Sequence, residues 1–130
     1  DGPYGERSEE ALFGQDVELE DPFLWRDGSV YRMIAKDMHG NVCGEKYGGA
    51  YAWSKDGKNW QLERGELAYS RRILWEDGRR ELMGNMERPF LLFEDGRPIC
   101  LFFAVSNGTD SFRDATDTWN MAVPLRETQL

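Results

Sequence analysis

The feature that most constrains this chain is a strand start written twice. Glu20-Asp21-Pro22-Phe23-Leu24-Trp25, closed by Asp27-Gly28, returns as Glu87-Arg88-Pro89-Phe90-Leu91-Leu92, closed by Asp95-Gly96. Each copy continues into a second apolar strand, Val30-Tyr31-Arg32-Met33-Ile34-Ala35 in the first and Ile99-Cys100-Leu101-Phe102-Phe103-Ala104 in the second. A third strand follows each through a polar, glycine-containing loop, Gly49–Ser54 and Thr118–Val123. Repeated units of three or four antiparallel strands are how propeller blades are built. Two unrelated proline hairpins in a β-sandwich are the alternative.

The rest of the chain is punctuated in the same way. Asp56-Gly57 and Asp77-Gly78 also sit between short apolar blocks, and Asp-Gly supplies the positive φ values of tight hairpin turns. Four hairpins are predicted: Phe23–Arg26 with Val30–Ala35, Gly49–Ser54 with Trp60–Leu62, Ile73–Glu76 with Arg79–Met83, and Pro89–Phe93 with Ile99–Val105. Thr118–Pro124 is a last strand. Ser8–Phe13, the one tolerable helix candidate, is too short to sustain a period and reads as a turn. The predicted fold class is all-β, made of antiparallel β-propeller blades. Residues 1–17 form an outer strand or linker of a preceding blade, 18–72 one blade and 73–130 the next. The repeat exceeds the roughly 40–50 residues of compact blades, and the surplus falls in Glu63–Arg72 and the Asp37–Gly48 loop.

Composition narrows the chemistry. Sixteen Lys and Arg against 24 Asp and Glu give a net charge of −8, so a nucleic acid partner is not expected. No apolar run approaches the roughly 18 residues of a membrane span, and no membrane partner is expected. Cys43 and Cys100 match neither a disulfide framework nor a zinc pattern and read as free thiols. One histidine, His39, excludes a His dyad or a three-His metal centre. Acid–base work therefore falls to carboxylates. No cofactor is indicated, nor is a structural metal such as calcium. Asn107-Gly108-Thr109 fits an N-glycosylation acceptor.

In both copies a carboxylate precedes an X-Pro step at the start of an apolar strand. Proline removes a backbone donor, fixes its own φ and pushes the residue before it to an extended form. In a propeller the innermost strands line the central channel, so Glu20, Asp21, Glu87 and Arg88 would converge on one polar funnel. Converging carboxylates have their pKa values pushed apart, which is what glycosidic bond cleavage asks of its acid and base. The plainer reading ties Glu20 and Glu87 to backbone amides or to Arg88.

Taken in order, these motifs resemble the later blades of five-bladed β-propeller glycoside hydrolases, family 43 and its relatives. The resemblance rests on Leu19-Glu20-Asp21-Pro22-Phe23-Leu24-Trp25, on Gly48-Gly49 with Ala52-Trp53-Ser54-Lys55-Asp56-Gly57-Lys58-Asn59-Trp60, and on Glu87 through Pro98. Trp119-Asn120-Met121-Ala122-Val123-Pro124-Leu125 resembles their closing strand, and Asp1-Gly2-Pro3-Tyr4 the Gly-Pro-aromatic turn of the blade before.

The resemblance implies that Glu20, at the Glu-X-Pro strand start, is the general acid, with Glu87 the second choice. The catalytic base and the orienting aspartate would precede Asp1. It implies a carbohydrate substrate and a secreted or periplasmic parent. The piece would be inactive alone and would associate with itself or with the missing blades. Asp21, His39, Glu87 and Arg88 are the expected substrate-binding residues: His39 meeting a sugar hydroxyl or a metal-bound water, or standing as an ordinary loop histidine; Arg88 pairing with a carboxylate or holding a substrate oxygen. The segment Ser54–Trp60 also resembles the Asp-box turn of sialidases, where it is structural. Of the five tryptophans, only an exposed one facing the channel would stack on sugar. The alternative function is a non-catalytic carbohydrate-binding or assembly module.

Overall fold

The computed structural model describes Gly5 and residues 8–126. The Asp1-Gly2-Pro3-Tyr4 turn lies outside the described residues. Among these residues the chain is all-β, with three antiparallel sheets and no helix. The four-stranded sheet runs in sequence order through β1 (Leu19–Asp27), β2 (Val30–Asp37), β3 (Gly49–Ser54) and β4 (Trp60–Leu62). A two-stranded sheet pairs β5 (Arg72–Leu74) with β6 (Arg80–Leu82). The three-stranded sheet holds β7 (Asn85–Glu94), β8 (Arg97–Ser106) and β9 (Thr118–Pro124). Residues 8–13 form bends and no helix.

All four Asp-Gly glycines take positive φ: Gly28 59°, Gly57 73°, Gly78 84° and Gly96 77°. Asp95 joins Gly96 at φ 49°, the two-residue signature of the twist-matched hairpin turn. The second hairpin also carries an irregularity just before its turn, where Leu92 pairs with Cys100 but Phe93 with Pro98.

The two proline steps depart from the extended geometry expected of them. Asp21 and Arg88, each immediately before a proline, sit at φ 52°. The ladder explains why. Glu20 pairs with Lys36 and Phe23 with Ile34, so Asp21 and Pro22 together face Ala35 alone. Glu87 pairs with Ala104 and Phe90 with Phe102, so Arg88 and Pro89 face Phe103. Each is a β-bulge, which accommodates one extra residue through a left-handed conformation, and the missing proline N–H falls where the ladder is already interrupted. A non-glycine residue held there costs about 1–3 kcal/mol. Both copies retain it.

The core forms where the four-stranded sheet meets the other two. Met86, Leu91, Leu101, Phe103, Val105 and Met121 of the three-stranded sheet are buried with Ile34, Tyr69 and Met83, and Phe23, Trp25, Tyr51, Ile73 and Trp75 pack against them. Phe23 meets Phe90 edge-on at 5.1 Å between ring centroids, and Tyr69 meets Phe103 at 4.7 Å. Truncating a buried side chain such as Phe103 to alanine removes about 3–5 kcal/mol.

Candidate functional site

The bulges gather charged residues at one end of the sheets. Lys36, the last residue but one of β2, is 1% exposed, and its ammonium lies 2.5 Å from a Glu87 oxygen and 3.9 Å from one of Glu20. A bare buried ammonium is prohibitive, so burial requires a partner. Glu87, on β7, supplies one across the sheet boundary and is itself only 8% exposed. Glu20 keeps 48% of its side chain exposed. The ring of Tyr47, at φ 64° in the loop after β2, receives three cations: Lys36 at 5.0 Å, Lys46 at 4.7 Å and Arg71 at 5.6 Å. Such contacts strengthen as water is excluded.

Glu20 and Glu87 both approach one group, the Lys36 ammonium, at 3.9 and 2.5 Å. The pair therefore does not flank an open space into which a glycosidic bond fits. Asp21 faces the other copy, accepting the Arg88 backbone N–H at 3.3 Å. His39 is an exposed loop residue, 2.7 Å from Glu18 through its Nε2. No cluster of metal-ligating side chains occurs among the described residues. Cys43 and Cys100 are free thiols, and burial followed by the nearby Asp37 charge pushes the Cys43 pKa up.

Asp37 organises the loop that follows Lys36. Burial pushes its pKa up, but its carboxylate accepts the backbone N–H groups of Cys43 at 2.9 Å, Val42 at 2.8 Å and Gly40 at 2.9 Å, which together hold it below the usual aspartate value. The corresponding loop after β8 is tied by Asp114, whose bonds from the Thr109 side chain and the Asp110 and Thr109 amides lower it to about 2. The Asn107 amide is committed to this loop as well, bonding Thr116 and Asp117. Asp56 of the Ser54–Trp60 turn accepts the amides of Lys58 and Asn59 and the Asn59 side chain, a structural role.

Beside Glu87 lies a groove of about 410 Å³, lined by Glu87, Arg88, Ala104, Phe112, Trp119 and Asn120 among others. Its origin is legible in the register. The row Glu20–Lys36–Gly49 of the first sheet corresponds to Glu87–Ala104–Asn120 of the third. Alanine stands where the first copy has its lysine, and space opens. Trp119 is 36% and Phe112 54% exposed. The other tryptophans are engaged elsewhere: Trp53, Trp60 and Trp75 donate to Glu63, Gly57 and Glu81, and Trp25 packs near Phe93. Lys36, Asp37, Phe112 and Tyr47 are the parts of this end that sequence reasoning missed. Lys36 was visible only as a charged residue closing an apolar strand.

No protein-family model, curated protein or solved structure matches this chain.

Proposed function

We propose that the chain contributes two blades to a β-propeller that acts on glycans, as the glycoside-hydrolase resemblance implies. The observation that carries the functional reading is the groove beside Glu87, where an exposed tryptophan, an exposed phenylalanine, an arginine and an asparagine meet at the strand-start end. Aromatic faces with a few placed polar groups are what sugar rings require. Glu20, the half-exposed carboxylate of the pair, is the group to protonate a leaving oxygen, with the activating aspartate on another blade.

The propeller arrangement is supported by a recurrence of surface. The first sheet meets the third through Phe23, Trp25, Ile34 and Tyr51. Their equivalents by register, Phe90, Leu92, Phe102 and Ala122, form the opposite face of the third sheet. Phe90 is 53%, Leu92 43% and Phe102 37% exposed. Apart from the contact of Phe90 with Phe23, that face repeats a packing surface without a partner sheet, so the chain should associate with itself or with further blades.

Oligosaccharide titration with a parallel reducing-end assay tests the reading. The chain alone should bind and release few reducing ends. Hydrolysis that Glu20→Gln leaves unchanged removes the acid role from Glu20. A non-catalytic binding module is the second reading, favoured by the Lys36 ammonium occupying the space between the two glutamates. Under it Glu20→Gln weakens binding only modestly, and no added blade brings hydrolysis.

A further inference from the structure

We propose that the Glu87–Trp119 groove selects acidic sugars, with the Arg88 guanidinium pairing to a uronate carboxylate while Trp119 stacks on the ring. This rests on the glycan reading above and specifies its substrate class. The charges lining the groove come from two residues, Glu87 and Arg88. The Glu87 carboxylate is already engaged, 2.5 Å from the buried Lys36 ammonium. Arg88 is exposed, and among the described residues no carboxylate lies within ion-pair distance of its guanidinium. The groove therefore offers one uncommitted charge, and it is positive, in a chain whose net charge is −8. The bulge holds it there: Arg88 at φ 52° sits between Glu87, turned to Lys36, and buried Pro89, and its N–H is donated to Asp21.

A ligand that satisfies these groups has an apolar ring face for Trp119, hydroxyls for Asn120 and Thr118, and a planar anion for Arg88. A guanidinium matches a carboxylate with two parallel hydrogen bonds, and a neutral sugar leaves that capacity unused. A uronic acid residue meets all three demands.

The test titrates the full chain with trigalacturonate and with xylotriose, following tryptophan fluorescence and heat of binding at low and high salt. Trigalacturonate is expected to bind about tenfold tighter or more, the range of a charge-assisted hydrogen-bonded pair, with the preference falling as salt rises. Arg88→Asn, chosen because asparagine tolerates the left-handed backbone, should erase the preference and leave the weaker xylotriose binding in place. Arg88→Lys should restore part of it. Trp119→Ala should weaken both ligands. Equal affinity for the two sugars, or a preference that Arg88→Asn leaves intact, overturns the proposal while the glycan reading stands. Absence of binding to either sugar overturns both.

Discussion

Glu20 and Glu87 occupy the same place in two copies of one strand start, with the same bulge and the same backbone angle after them, yet one side chain is half in water and the other is buried. The difference lies in their neighbours. Lys36 stands opposite Glu20 in its own sheet, and its ammonium reaches across to Glu87. In the second copy the lysine position is Ala104. A duplicated backbone thus carries a buried lysine in one copy, and in the other an open groove where alanine replaces that lysine and Asn120 replaces Gly49.

Lys36→Ala should produce the largest effect on this comparison, because it strands a buried carboxylate; a loss of about 3–5 kcal/mol in urea unfolding is expected. Glu20→Ala removes an exposed, longer contact and should cost under about 1 kcal/mol. Equal costs would mean that the two glutamates do not differ energetically. The double change Lys36→Met with Glu87→Leu should recover most of the lost stability, since a buried ion pair is often matched by apolar residues of similar volume. Failure to recover would show that the polar network around Tyr47 depends on the pair.

The loops that follow sharpen the contrast at smaller scale. Asp37→Ala leaves buried amides without an acceptor and should cost about 2–3 kcal/mol. The folded pKa of Asp37 lies below the ordinary 3.8, so its contribution is fully present above the unfolded value and is lost as pH falls through the folded one. Acid unfolding of Asp37→Asn should accordingly lack that component. The smallest effect belongs to Asp114, which is exposed: the Thr109 and Asp110 amide resonances should titrate with a midpoint near pH 2, where the carboxylate takes up its proton.

The strands were legible because their signals are local. Asp-Gly pairs and alternating apolar blocks locate each strand among the described residues, although β1 and β7 begin four residues earlier than expected and take the Glu-X-Pro steps inside them. The backbone of Asp21 and Arg88 was not legible, since the rule for residues before proline describes an isolated dipeptide and the bulge is imposed by the neighbouring strand. The repeat marked Glu20 and Glu87 as equivalent positions, whereas the ammonium they share was not legible. Lys36 looks like a solvated strand end until β7 is placed against it. Trp119 differs from the other four tryptophans only in what surrounds it, which sequence spacing does not encode.

The Lys36–Glu87 pair joins residues 51 positions apart, and it ties together two sheets that are each built from neighbouring hairpins. The sheets of β1 to β4 and of β7 to β9 each contain only local pairings, which do not need the other sheet to form. Without β7 the Lys36 ammonium would need its hydration shell, because half-exposed Glu20, at 3.9 Å, does not offset desolvation. With β7 in place the Glu87 carboxylate takes the position of that water. The burial of Lys36 in the first half of the chain thus depends on a carboxylate that only the second half provides.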